Sequence, residues 1–216
     1  MNWRVIQGDC LTEMAKMEAG SFDAVITDPP YGIDYKPQRS LSKCHKWQSQ
    51  KPFTPVAGDS RPFDPSPLLS LGLPTILWGA NHYADKLPPS GGWLVWDKRG
   101  GGTISQGFIA SDVELAWTNI MGTAKIFTHM WCGLCRDTEV GKHYHPTQKP
   151  VALMRWCLSI IPNAKRILDP FCGSGTTGVA CAELGRDFVG IEISEEYCAI
   201  ARRRIDAATR QGRLGL

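Results

Sequence analysis

The stretch from Arg166 to Glu192 restricts the possible folds of this chain more than any other. Arg166-Ile167-Leu168-Asp169-Pro170-Phe171 reads as a strand closing on an acid. Cys172-Gly173-Ser174-Gly175-Thr176-Thr177-Gly178 follows as a glycine-rich turn, and Val179 to Leu184 reads as an apolar helix stopped by Gly185. A second strand, Asp187-Phe188-Val189-Gly190-Ile191, ends in Glu192. This is a βαβ unit, so the chain is committed to an α/β fold with parallel strands. The glycines let a ligand approach the backbone, and Glu192 has acceptors for both hydroxyls of a ribose. Gly173, Gly175 and Gly178 literally satisfy G-x-G-x-x-G, which points to a dinucleotide; a tight strand-to-helix turn is the plain alternative.

Only 24 residues follow Glu192, and they read as one helix. Ser194 suits its N-cap, Glu195 and Glu196 suit its positive end, and Arg202 to Arg204 lie further along. The strand missing from a βαβαβ half is therefore expected from Trp3-Arg4-Val5-Ile6-Gln7, followed by Gly8-Asp9-Cys10 and a short helix. In that circularly permuted order Asp9 stands beside Glu192, able to accept from an adenine amine. Asp28 stands one strand further along the same edge, where open α/β sheets bind ligands.

Asp28 opens a second signal. The apolar run Phe22-Asp23-Ala24-Val25-Ile26-Thr27 reads as a buried strand, and Asp28-Pro29-Pro30-Tyr31 closes it as a stiff ledge. The prolines fix φ and remove two donors, leaving carbonyl acceptors. The carboxylate adds acceptors and the tyrosine adds a flat face. Such a ledge suits a planar ring with an exocyclic amine, as in a nucleobase drawn out of its helix. Pro-Pro-Tyr-Gly is also ordinary turn chemistry.

Four motifs in order, Gly8-Asp9-Cys10, Asp28-Pro29-Pro30-Tyr31, His145-Pro146-Thr147-Gln148-Lys149-Pro150 and Asp169 to Thr177, strongly resemble the β-class amino methyltransferases of DNA. The resemblance runs from Arg4 to Ile205. It implies a Rossmann-like methyltransferase fold: a mostly parallel sheet with an antiparallel edge hairpin. It also implies S-adenosylmethionine as cofactor, and adenine N6 as target, because cytosine-N4 enzymes more often begin the tetrad with Ser. By resemblance, Asp28 and the Pro29 carbonyl hold the amine beside Pro30, and Tyr31 stacks on the base. Asp169, Phe171, Gly173 and Gly175 pack around the methionine part, with Ser174, Thr176 and Thr177 as polar contacts. Glu192 takes the ribose, Asp9 with Cys10 the adenine end, and Lys149 the cofactor's carboxylate. Lys149-Pro150 also reads as a plain helix start before Val151.

The remaining chain sets limits. At 216 residues and 43% hydrophobic content it is expected to form a single domain. No membrane span or secretory signal is evident, so a cytoplasmic protein is expected, and the resemblance implies a bacterial, archaeal or phage origin. The eight cysteines read as reduced core residues. Cys132-Gly133-Leu134-Cys135 has metal-ligand spacing near His143 and His145, but lacks a second pair, so no metal is expected.

Net charge is only +3, yet Tyr35 to Gly58 carries no acid and holds Lys36, Arg39, Lys43, His45, Lys46 and Lys51. A mobile loop over 33–60 is expected to meet phosphates of double-stranded DNA. Lys98 and Arg99, in the polar stretch Asp97 to Thr103, are expected to reach a groove. Thr75 to Trp78, Trp93 to Trp96 and Val113 to Trp117 are further strands, the last two forming the antiparallel pair. Asn81-His82-Tyr83 follows a strand end and borders the site. Residues 119–144 leave room for a small target-recognition segment. A homodimer is an open alternative to a monomer. Other functions consistent with parts of this pattern are cytosine-N4 methylation, RNA adenine methylation, a nicotinamide-dependent oxidoreductase, and a DNA-binding module without activity.

Overall fold

The computed structural model of the chain describes residues 1–34, 57–100, 111–132, 135–140 and 144–213. Ten strands are described: β1 (Trp3–Gln7), β2 (Ala24–Thr27), β3 (Thr75–Trp78), β4 (Trp93–Asp97), β5 (Val113–Thr118), β6 (Lys125–Thr128), β7 (Trp131–Cys132), β8 (Cys135–Arg136), β9 (Arg166–Asp169) and β10 (Asp187–Glu192). Five α-helices accompany them: α1 (Cys10–Met14), α2 (Ser66–Leu69), α3 (Val151–Ile160), α4 (Thr176–Glu183) and α5 (Glu195–Arg213). Eight strands form one sheet in the order β1-β10-β9-β2-β3-β5-β4-β6, and β7-β8 form a separate hairpin.

The permuted order read from the sequence is present. β1 pairs parallel with β10, bringing Gln7 opposite Glu192, and β10 pairs parallel with β9. β9 continues parallel to β2, and β2 to β3. β5 runs antiparallel to both β3 and β4. The antiparallel pair is thus where the sequence places it, but it does not close the sheet. β6 adds a strand beyond it, parallel to β4. Its short Lys125-Ile126-Phe127-Thr128 run, with three of four residues exposed, gave no strand signal.

Alternation explains why the central strands are apolar throughout. Ala24 and Ile26 face one hydrophobic cluster, and Val25 faces another. Ile76 and Trp78 divide from Leu77 in the same way. Both faces are covered, as expected for parallel strands. Helices α3, α4 and α5 contact one another in series on one side, and α1 packs on β10. Arg186 donates to the carbonyls of Leu158 and Ile161 at 2.9 and 2.8 Å, tying down the end of α3.

The glycine turn is closely packed against α5. Gly175 precedes α4 at φ 81°, and a Cβ there would lie 2.9 Å from Ala201 Cα of α5. Gly185, at φ 66°, has nothing within 4 Å of its Cβ position. Gly175→Ala is expected to lose about 1–3 kcal/mol to overpacking beyond the backbone strain that Gly185→Ala also carries. Urea unfolding of both variants checks this, with the midpoint falling further for Gly175→Ala.

Candidate active site

The carboxyl ends of β1, β10, β9, β2 and β3 bound one cavity of about 1240 Å³. Asp9, Cys10, Asp28, Pro29, Pro30, Tyr31, Lys149, Asp169, Phe171, Gly173, Ser174, Thr176, Thr177 and Glu192 all line it. Gly175 is the exception. The position its Cβ would take is filled by Ala201 of α5, so it lets that helix pack closely.

At one end, Glu192 closes β10 and is clamped by backbone donors. Gly173 N–H reaches Oε2 at 3.0 Å and Ser194 N–H reaches Oε1 at 2.8 Å. Burial raises its pKa against those donors. Each oxygen retains a lone pair for a further donor. Asp9 stands across from it, with Gly8 N–H donating to the Glu192 carbonyl at 3.0 Å. The Asp9 carboxylate already caps α1, accepting from Thr12 N–H and its hydroxyl, both at 2.9 Å. These Thr12 donors lower its pKa.

Asp169 sits midway, buried, with neutral partners. Thr27 Oγ1 donates to it at 2.6 Å and Phe171 N–H at 3.2 Å. Burial pushes its pKa up to about 6 despite the hydroxyls of Thr177 and Thr27. Ser174 and Thr176 are turned toward Arg204 of α5, whose Nη1 lies 2.9 and 3.3 Å from their hydroxyls. Those hydroxyls, expected to meet a cofactor, therefore already accept from protein.

At the other end the tetrad carries a network of charges. Lys149 Nζ lies 2.6 Å from Asp28 Oδ2, 3.0 Å from Glu114 Oε2 and 3.2 Å from the Tyr31 hydroxyl. Tyr31 donates to Asp28 Oδ1 at 2.5 Å. Lys98 Nζ reaches Glu114 Oε1 at 2.9 Å. Burial raises Asp28, Lys149 opposes that, and Glu114 adds to it. Burial also works to raise Glu114, but Lys149 and then Lys98 outweigh it and bring it to about 2. Lys149 is raised above its ordinary value, because Asp28 and Glu114 outweigh its burial. The sequence assigned Lys149 to the cofactor's carboxylate; here its three partners belong to the protein.

The Tyr31 ring is held from two directions. The His82 imidazole stacks on it at 4.8 Å and 12°. Gly79, at φ 70°, lies so close that a Cβ would come within 1.9 Å of the ring. Only a residue without a side chain permits that approach.

Two residues expected to reach DNA already have partners within the protein. Lys98 is bound to Glu114 in the cavity wall, and Arg99 pairs with Asp97 at 3.1 Å and Asp112 at 3.4 Å. Lys36, Arg39, Lys43, Lys46 and Lys51 lie outside the described residues. The two sides of that segment meet: Asp34 N–H donates to the Asp59 carbonyl at 2.8 Å, beside the tetrad. Of residues 119–144, Trp131 and Arg136 line the cavity, with the guanidinium 4.1 Å above the indole. Cys132 and Cys135 face each other across the hairpin register. Among the described residues no group of three or more His, Cys, Asp or Glu is arranged to hold a metal, and no helix is long and apolar enough to cross a membrane.

Sequence reasoning missed Glu114, although an acid inside the apolar run Val113 to Thr118 was the available signal. It also missed Glu139, which joins Arg204 at 3.2 Å and accepts from Val151 N–H at 2.8 Å. That clip fastens the segment carrying Lys149 to the helix behind the glycine turn. Nothing local marks Glu139, whose partners are distant in sequence.

Comparison with known proteins agrees with this geometry. A family profile described as DNA methylase (N6_N4_Mtase) matches residues 95–203. The chain is 44% identical over 89 residues to "Type II methyltransferase M2.DpnII" of Streptococcus pneumoniae, covering 40% of this chain and 33% of that protein. It thus spans one third of that relative's length. It is 27% identical over 221 residues to "Putative methylase YubD" of Escherichia coli (strain K12), covering 96% of this chain and 92% of that protein. Among solved structures it resembles the M1.HpyAVI–SAM complex, with a TM-score of 0.55 and 24% identity over 94% of this chain and 99% of the other. That likeness speaks for the fold. The profile match takes in half of the chain, and it assigns the family: this protein belongs to the DNA methylases.

Proposed function

We propose that this chain transfers a methyl group from S-adenosylmethionine to adenine N6 of a base flipped out of double-stranded DNA. The observation that carries this reading is one cavity whose wall holds both the ribose-type acceptor Glu192 and the amine-type acceptor Asp28. Its volume of about 1240 Å³ gives room for a nucleoside cofactor and a base side by side. Asp28 at the head of the tetrad favours adenine over cytosine by family resemblance.

The cofactor fits the donor set. Glu192 is fixed by two backbone donors and keeps acceptors for ribose hydroxyls. Asp9 and Cys10, which line the same cavity, would hold its adenine end. Gly173, at φ 48°, holds its backbone beside Glu192, with the His145 ring 3.6 Å from where a Cβ would lie. Asp169 has neutral partners and an elevated pKa, so a cationic sulfonium nearby would supply the counter-charge its burial lacks. When bound, the cofactor supplies an electrophilic methyl.

The chain's own residues do the rest. Asp28 and the Pro29 carbonyl accept the amine hydrogens and draw the nitrogen toward tetrahedral geometry, which localises its lone pair. That lone pair would form the new N–C bond as the S–C bond to the methyl breaks and its electron pair returns to sulfur, leaving a neutral thioether, and the acidified amine proton leaves to water. Tyr31, steadied by His82 and Gly79, offers the base a fixed aromatic platform. Alignment in a water-poor crevice supplies further acceleration. DNA phosphates would be met by Lys36, Arg39, Lys43 and Lys46, which lie in sequence between Asp34 and Asp59, two residues that meet beside the tetrad.

Calorimetry tests the cofactor assignment. S-adenosylmethionine should bind, and Glu192→Ala should weaken it by ~1–3 kcal/mol, the cost of a lost charged hydrogen bond. Tight NAD binding with no heat from S-adenosylmethionine would sink the assignment.

Base capture is separable from it. Tyr31→Ala should lose ~1–3 kcal/mol of stacking, seen as weaker capture in 2-aminopurine fluorescence of a duplex substituted at the target. Tyr31→Phe keeps the ring and should capture the base nearly as well. Equal loss in both variants would mean that the hydroxyl, not the ring, holds the base.

A further inference from the structure

Glu114 lies on β5, outside every motif that marks this family in the sequence, yet it is the hub of the charge network. Its partly buried carboxylate lies between two ammonium groups, Lys98 at 2.9 Å and Lys149 at 3.0 Å. Lys149 is in turn 2.6 Å from Asp28. Positive and negative groups therefore alternate from Lys98 through Glu114 and Lys149 to Asp28. Burying such charges is costly, and apolar residues of similar volume commonly serve stability as well. The network thus calls for an explanation other than core stability.

The geometry supplies one. In the structure both oxygens of Asp28 are engaged, Oδ1 by the Tyr31 hydroxyl and Oδ2 by Lys149. A lysine paired with Asp28 alone would neutralise the acceptor that the target amine needs. A lysine shared with a second carboxylate does so less. We propose that Glu114 is a positioning residue for methyl transfer: its charge, 3.0 Å from the Lys149 ammonium that Asp28 also binds at 2.6 Å, offsets part of that ammonium's charge, so that Asp28 keeps acceptor strength for the target amine. This rests on the reading of the site as an amino methyltransferase.

Five groups face or act on Asp28 from the surrounding elements. They are Tyr31 on its own loop, Lys149 before α3, Glu114 on β5, Asp169 at the end of β9 and Tyr83 after β3. Glu114 adds to the rise in the Asp28 pKa that burial causes. Removing its charge therefore makes Asp28 more acidic. The acid limb of the pH–rate profile, where Asp28 becomes protonated and loses its acceptor role, moves to lower pH.

The test is single-turnover methylation of an adenine-containing duplex across pH by the wild-type chain, Glu114→Gln and Glu114→Asp, with cofactor affinity measured alongside. Glu114→Gln should slow transfer roughly tenfold, less than the 10²–10³-fold for a directly acting preorganised group. Its acid limb should move to lower pH, with cofactor affinity unchanged. Glu114→Asp keeps the charge on a shorter arm. It should fall between the other two in rate and in limb position, and it serves if Glu114→Gln does not fold. Limbs that coincide with wild type in the variants that fold would overturn the proposal, because a merely structural role lowers the rate without moving the limb. A matching loss of cofactor affinity would also overturn it, by placing the effect at the other end of the cavity. A wild-type chain that transfers no methyl to DNA would overturn the functional reading and this inference together.

Discussion

The pairing of β1 with β10 is the constraint on which the site depends. It joins residues at opposite ends of the chain: Trp3 lies opposite Phe188 and Gln7 opposite Glu192. Asn2 N–H also reaches Asp187 Oδ1 at 2.5 Å. Because the pairing is parallel, it places the ends of β1 and β10 on one edge, and β9 and β2 extend that edge. Asp9, Glu192, Asp169 and Asp28 follow as consequences of register. No local interaction could assemble them, and the closure entropy of so long a loop has to be offset by buried apolar area.

The two ends of the cavity hold their carboxylates by different means. Glu192 is held by backbone N–H groups, which fix a charge without adding one. Asp28 is held by a hydroxyl and an ammonium. A cofactor site benefits from a rigid acceptor whose remaining lone pairs are free. A transfer site benefits from an acceptor whose strength can be set by neighbouring charge. Asp169 lies between them with neutral donors, and its carboxyl is correspondingly pushed up to about 6, with burial as the main cause.

Much of this was legible from the chain. β1 and β3 begin and end at the residues their apolar runs predicted, and β10 ends on Glu192 as read. These strands are buried on at least one face, so pattern and structure coincide. β6 was not legible, because four residues of mixed polarity at a sheet edge carry no period. Gly175 was read as a ligand contact and is also a packing residue, since the same missing Cβ serves either purpose. Lys149 was placed near the site by its motif, but its partners Asp28 and Glu114 come from β2 and β5 neighbourhoods that only the folded sheet brings together. Glu114 and Glu139 were missed for the same reason. A lone acid in a strand or loop has a role only once its cations are known.

The central claim is that Asp28 is the acceptor for an adenine amine beside a bound methyl donor. Its most direct test is nucleoside mass spectrometry on duplex DNA sampled during a single turnover by the wild-type chain and by Asp28→Ala. The account predicts N6-methyladenine from the wild type. It predicts a rate lower by roughly 10²–10³-fold in the variant, as for loss of one preorganised polar group, with cofactor affinity retained. N4-methylcytosine as the product would contradict the assigned base, and transfer by Asp28→Ala at the parental rate would contradict the assigned acceptor.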